Sequence, residues 1–447
     1  MMATTPLVWP DPPERVVVWH RGRPVSLFAL LAAAERLAAD LPDRSHVLNA
    51  CTTHYGFLVA LLAALLRGQI TVLPNDRTPR VASRLQRRYP QLYCLNDAPS
   101  ALDGFETRTV SPEIPDNSPP GDVPSLAADQ AAVIAFTSGS TGEPEPNEKS
   151  FRIIATTAQL IAQRFELDRG PPSAIVATVP GQHMYGLETA VALPLWTNAA
   201  VHSLRPFYPA NIAAALREVP APRMLVTTPI HLRGLLASST DLPSLSAVIS
   251  ATAPLSPETA RAVERRFDTT LLEIYGFSEA GTVATRRTAA GSAWHTCEGL
   301  TLRREKTTCF VEAAHYPAAI PFSDNIELLA PDRFELIGRA SDTINVAGKR
   351  ASLNGLNAIL NDIEGVIDGT FFHADEEDES KVARLVAFVV APETSPIAIR
   401  EALRGNIDPV FMPRQIHRVA ALPRLESGKL PRGALVELAE RVRATKE

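Results

Sequence analysis

The chain is 447 residues long, 45% hydrophobic and 21% charged, with a formal net charge of −5. That length allows two or more domains with sizeable cores, and the charge balance gives no electrostatic footprint for nucleic acid or an anionic membrane. Four scattered cysteines, Cys51, Cys94, Cys297 and Cys309, lack metal-ligand spacing and read as reduced cytosolic thiols.

Residues 1–10 carry no basic segment followed by an apolar core, so no secretory leader is expected and the location is read as cytoplasmic. A helix is predicted over 25–41 and a strand over 46–50. The apolar run 56–66 is too short to cross a bilayer; it reads as a buried helix leading through Arg67-Gly68 into a strand at 70–73. The Pro-, Asp- and Ser-rich stretch 111–125 reads as a linker or surface crossing, and 131–136 as a buried strand. A helix over 151–165, a strand over 173–179, a helix over 211–219 and strands at 223–227 and 247–250 follow. This alternation argues for an α/β fold of layers with mostly parallel sheet. Beyond Gly338-Arg339 come a helix at 354–363, strands at 369–373 and 383–391 and a helix at 397–405, the pattern of a small α+β unit. The expected organisation is a large N-terminal α/β domain over 1–339 and a small mobile α+β lid domain over 340–447, closing a cleft. The acidic run 375–379 is a solvated loop without an assigned role.

The chemistry concentrates first behind the strand 131–136, in Thr137, Ser138, Gly139, Ser140, Thr141 and Gly142. Two glycines among hydroxyl residues let the backbone bend sharply and offer a polyanion many donors. The spacing is not that of a G-x-x-x-x-G-K-[ST] loop, and Ser/Thr/Gly clusters after strands are also ordinary surface turns. Four later segments tip the balance towards phosphate. They are Pro180-Gly181-Gln182-His183-Met184-Tyr185-Gly186, Tyr275-Gly276-Phe277-Ser278-Glu279, the span from Asp324 through Gly338-Arg339 to Gly348-Lys349-Arg350, and Leu422-Pro423-Arg424-Leu425-Glu426-Ser427-Gly428-Lys429. In this order they resemble P-x-x-H-x-x-G, Y-G-x-T-E, D…G-R-x-D-D-x-I-K-x-x-G-x-R and L-P-x-T-x-x-G-K of the adenylate-forming superfamily, which includes acyl- and aryl-CoA synthetases, peptide adenylation domains and luciferases.

The resemblance implies ATP and magnesium as cofactors, a carboxylic acid substrate, and a phosphopantetheine thiol of coenzyme A or an acyl carrier protein as acceptor. It implies Lys429 as the cation between the acid and the α-phosphate, although Gly-Lys is also a common surface turn. Glu279 corresponds to the magnesium-supporting glutamate, its alternative being a helix N-terminal acid. Asp324 and Arg339 correspond to ribose contacts, and His183 borders the carboxylate path, though a lone histidine is as readily structural. Tyr275, Gly276 and Ser278 join the nucleotide site with Ala251, Thr252 and Ala253. Tyr185 and Phe277 are candidate acyl-pocket lining or ordinary core, and Gly348 lies at the thiol tunnel. The lid hinge is expected at Ser341.

Glu145 stands where the family has a loop lysine and is expected to point away from the phosphates, with Lys149 as a substitute. The TSGSTG-x-P-x-P form is similar to short AMP ligases of aryl-polyene and xanthomonadin-type pigment clusters. An aryl acid such as a hydroxybenzoate, loaded onto a carrier protein, is therefore the leading expectation. A fatty acyl-CoA synthetase and a nucleotide-binding protein without turnover are the alternatives.

Overall fold

The computed structural model describes residues 4–9, 14–74, 77–98, 104–115, 123–138, 144–168, 171–339, 343–346, 349–373, 385–425, 428 and 430–444. Two large sheets organise the first part. In the six-stranded sheet, His46–Asn49, Ile70–Leu73, Tyr93–Asn96, Thr107–Thr109 and Ala131–Ser138 run parallel, and Pro144–Ser150 closes one edge antiparallel. In the eleven-stranded sheet, Val16–His20, Ala199–His202, Ser173–Ala177, Arg223–Thr227, Ala247–Ser250 and Thr270–Phe277 run parallel before antiparallel hairpins take over. The mostly parallel α/β architecture thus follows the alternation in the sequence.

Helix His54–Leu66 explains why the run 56–66 is apolar on every face. It packs on strands of both large sheets, and only its C-terminal residue escapes full burial, so no face needs to be polar. Hydroxyl N-caps mark the helix starts: Ser26 for Leu27–Asp40, Thr53 for His54–Leu66 and Ser150 for Phe151–Arg164, each accepting from a backbone N–H. No helix among the described residues is long and apolar enough to cross a membrane.

Two features differ from expectation. Strand Pro144–Ser150 replaces the loop read through Pro146; its two prolines are tolerated because it lies at a sheet edge. From Thr270 to Arg339 the alternation with helices stops and the chain runs through successive strands. Their short, turn-separated pattern is that of hairpins rather than βαβ units. The C-terminal segment carries its own three-stranded sheet of Asp368–His373, Leu385–Val390 and Gln415–Arg418. Helices Leu353–Asn361 and Pro396–Arg404 pack on it around Leu360, Phe371, Val389, Ile399 and Leu403.

Candidate active site

Loops that follow parallel strands gather at the carboxyl end of the eleven-stranded sheet, where α/β folds place their ligands. After Ser173–Ala177 the chain turns through Pro180–Gly186. A Cβ on Gly186 would run into the Pro180 carbonyl oxygen, so only glycine closes this turn. His183 is half-buried at the N-cap of the turn Met184–Gly186. Tyr185 is buried, its hydroxyl 3.1 Å from the Thr227 carbonyl and 2.9 Å from that of Ile249. The hydroxyl thus ties this turn to two neighbouring strands, and the ring lies in the buried core.

After Ala247–Ser250 comes Ala251, buried, then Thr252 at φ +80°, a conformation uncommon for a non-glycine residue. Its Oγ1 is buried and has no hydrogen-bond partner among the described residues. Gly428 lies directly over this spot: a Cβ there would sit 3.5 Å from Thr252 Oγ1 and 3.6 Å from Thr228 Oγ1.

The hairpin between Thr270–Phe277 and Gly281–Arg286 forms the next wall. Gly276 is obligatory, since a Cβ would strike the Gly281 carbonyl. The Tyr275 ring stacks on Phe322 at 6.0 Å and meets Phe334 at 5.4 Å and Phe277 at 6.2 Å. Its hydroxyl donates to Asp324 Oδ2 at 2.9 Å, and Asp324 pairs in register with Arg339 across two adjacent strands. Ser278 is half-buried and Glu279 exposed at the hairpin tip.

Three side chains clamp that tip from behind. The Lys149 ammonium donates to the Glu279 carbonyl, Tyr316 Oη donates to the Ala280 carbonyl at 2.9 Å, and Glu188 accepts from Thr282 Oγ1 at 2.5 Å and Thr282 N–H at 3.3 Å. Lys149 and Glu188 are 3% and 4% exposed. Burial pushes Lys149 down to about 8 and Glu188 up to about 7, each partly offset by the charge of the other.

The C-terminal segment reaches this edge through two carboxylates, Asp368 and Asp362. Asp368 accepts from Arg424 Nε at 2.6 Å and Nη2 at 2.7 Å, and Arg424 Nη1 donates to the Gly428 carbonyl at 2.9 Å. Across the interface, Arg233 donates to Asp368 Oδ1 at 3.3 Å and to the Ile367 carbonyl at 3.0 Å. Ser256 Oγ donates to Asp362 nearby.

A family model described as AMP-binding enzyme matches residues 10–303. The chain belongs to the AMP-binding enzyme family. It is 26% identical to a 4-coumarate–CoA ligase of Rhodobacter capsulatus over 312 residues, 69% of this chain and 77% of that protein. Among solved structures it resembles ATP-bound MatB from Rhodopseudomonas palustris at a TM-score of 0.78 and 18% identity, with 97% of each chain covered. It also resembles the anthranilate CoA ligase AuaEII in complex with anthranoyl-AMP, at 0.78 and 16%, with 98% of this chain and 99% of that one covered. At those identities the two structures speak for a shared fold.

In this AMP-binding enzyme the structure brings His183, Tyr185, Ala251, Thr252, Ala253, Tyr275, Gly276, Phe277, Ser278, Glu279 and Asp324 to loops and hairpins around the carboxyl edge of one sheet. Thr137 and Ser138 end the strand Ala131–Ser138, and Arg339 ends Arg333–Arg339. Gly139, Ser140, Thr141, Gly142, Ser341, Gly348 and Lys429 lie outside the described residues. Glu279 occupies a hairpin tip rather than a helix N-terminus, which removes the helix-dipole explanation for it. Strand alternation puts Glu145 on the same face as Lys149, at the exposed end of the strand. Lys149 itself is engaged at the Glu279 carbonyl.

The residues fit a nucleotide. The orphaned Thr252 hydroxyl beneath Gly428 is a buried polar atom awaiting a partner, and Asp324, oriented by Tyr275, suits sugar hydroxyls. Magnesium arriving with a triphosphate asks the protein for only one or two carboxylates, and the exposed Glu279 can supply one. No group of three or more His, Cys, Asp or Glu that could hold a metal occurs among the described residues. Sequence reasoning missed Glu188, whose signal was a lone acid inside the apolar run Leu187–Ala192, and the Arg233–Asp368–Arg424 chain, which carries no local signal.

Proposed function

We propose that this protein is an ATP-dependent acid–thiol ligase that activates an aryl acid of the hydroxybenzoate type and delivers it to an acyl carrier protein. A carboxylate oxygen of the acid attacks the α-phosphorus of ATP, the bond to the bridging oxygen breaks, and pyrophosphate leaves. The thiol sulfur then attacks the acyl carbon of the adenylate and AMP departs. Nucleophile and electrophile of the first step are both anionic, so fixed positive charge lowers its barrier. One cation ~4 Å from the developing charge is worth about 4 kcal/mol at an effective dielectric near 20. Lys429 is the proposed cation; it follows in sequence Gly428, which lies over the Thr228 and Thr252 hydroxyls. Magnesium would neutralise the departing pyrophosphate, with Glu279 as its protein support. The proposed division is an AMP-binding domain over 1–339 and a lid over 340–447 hinged near Ser341, with Gly348 brought to the thiol in the second step.

The observations that carry this reading are the Tyr275–Asp324 hydrogen bond on one segment and, under Gly428, the Thr252 hydroxyl that has no partner among the described residues. Acid-dependent pyrophosphate release across benzoates, cinnamates and fatty acids, in wild type and Lys429→Ala, tests it. Release with one aryl class, lost in the variant, supports the reading; release with fatty acids alone makes the protein a fatty acyl-CoA synthetase. ATP binding without release from any acid leaves a nucleotide-binding protein. Comparing coenzyme A with a phosphopantetheinylated carrier protein as acceptor identifies the thiol.

A further inference from the structure

Lys149 is chemically out of place. An ammonium on a sheet-edge strand ordinarily reaches water, yet this one is buried and spends a hydrogen bond on the Glu279 carbonyl. Burying a lysine is costly unless the charge is paired and hydrogen-bonded. Opposing charge comes from Glu188 and then Glu279 at longer range, and Glu188 is itself buried and held by the Thr282 hydroxyl and N–H. Glu188 also fills the space beside Gly281, where a Cβ would strike its carboxylate oxygen, so it packs against the underside of the same hairpin tip.

We propose that Lys149 is a positioning residue for the metal–triphosphate end of the nucleotide site, fixing the hairpin tip from which Ser278 and Glu279 project. This rests on the nucleotide reading of that site. The tip is the reverse turn Ser278-Glu279-Ala280 with its glutamate exposed, and such turns sample many backbone states when untethered. Lys149 removes that freedom at one carbonyl, Tyr316 at the next and Glu188 at Thr282. The face of strand Pro144–Ser150 that carries Glu145 at its open end therefore still delivers a cation, four residues on, to the scaffold of the metal site rather than to the phosphates.

Two roles need separating: holding the fold and holding the tip. Lys149→Met together with Glu188→Gln removes both charges at similar volume, which a buried pair tolerates far better than loss of one partner. The double variant is expected to fold and to bind Mg·ATP about tenfold more weakly, the loss of one charge-assisted hydrogen bond. Magnesium-free AMP, which does not use the metal-bearing end, should bind within about twofold of wild type. Lys149→Gln, which keeps a neutral donor and needs no second change, should show a smaller loss of Mg·ATP affinity with AMP binding again unchanged. Titrations followed by intrinsic fluorescence read all of these without turnover. Unaltered Mg·ATP affinity in a folded double variant overturns the proposal, as does an equal loss of AMP and Mg·ATP affinity. If the double variant does not fold, Lys149→Gln decides by the same comparison of AMP with Mg·ATP. A wild type that binds Mg·ATP but releases no pyrophosphate with any acid would sink the ligase reading and leave this test standing.

Discussion

Arg233→Ala should slow acyl-adenylate formation while sparing transfer to the thiol. Arg233 joins the helix Pro229–Ala237 to the C-terminal segment through the Ile367 carbonyl at 3.0 Å and Asp368 Oδ1 at 3.3 Å. Both side chains of the ion pair are largely shielded, at 14% and 4% exposure, so solvent screening takes little from it. A hydrogen bond to a charged group is worth about 1.5–3 kcal/mol when well made, and 3.3 Å lies at the long end of the range. Removing one partner of a buried pair costs about 3–5 kcal/mol only when it strands the other charge. Asp368 retains the bidentate Arg424, so that penalty does not arise. The loss is therefore about 1–2 kcal/mol in the docked arrangement that sets Gly428 over Thr252, or about 5- to 30-fold in the rate of the first step. Quench-flow measurement of adenylate formation, set against thiol transfer from chemically prepared acyl-adenylate, separates the two steps. Equal slowing of both, or an unchanged first step, would refute the idea that this contact holds the adenylation arrangement.

Tyr275→Phe deletes the hydroxyl that orients Asp324 and should raise the KM for ATP about fivefold, roughly 1 kcal/mol, with the KM for the acid unchanged; steady-state titration of each substrate checks it. Gly276→Ala should cost about 2–4 kcal/mol of stability through overpacking against the Gly281 backbone, seen as a lowered urea midpoint. His231 is buried, its Nδ1 2.9 Å from Thr228 Oγ1, and burial with Arg205 nearby pushes its pKa down to about 4. The folded value lies below the ordinary 6.5. Its contribution to stability is therefore complete above that pH and lost as pH falls towards 4, at about 1.4 kcal/mol per unit and about 3 kcal/mol in all. Urea melts from pH 7 to 4.5 measure the slope. His231→Asn should flatten it, and an unchanged slope would show that other groups carry the acid sensitivity.

Most of the fold was legible because its cause is local. The alternation of apolar strands with capped helices from residue 25 to 250 needs no knowledge of partners, and the all-round apolar run 56–66 announces a helix covered on every side. Tyr275, Asp324 and Gly428 could be picked out through their motifs. Their relation to one another, a hydroxyl on a carboxylate and a glycine over an orphaned threonine, exists only once distant segments meet. Strand Pro144–Ser150 was illegible for a related reason: two prolines argue against a central strand, and nothing in those seven residues says that they lie at an edge.

The same logic accounts for charged residues whose partners no local pattern could show. Lys149, Glu188, Arg233 and Asp368 have side chains buried or nearly so. What distinguishes them is the partner, at separations in the chain that no local pattern encodes. Lys149 finds a carbonyl 130 residues away, Glu188 a hydroxyl 94 away, and Arg233 a carboxylate 135 away. Charges taken out of water at such long range are affordable only if the segments they join are held in one arrangement. All three fasten elements that surround the Thr252–Asp324 edge rather than the sheets beneath it, which is where a loop-built site needs help that hydrophobic packing does not give. The adenylation chemistry proposed for this edge therefore depends on two kinds of residue: motif residues that face the substrates, and buried charges behind them that keep the loops in register.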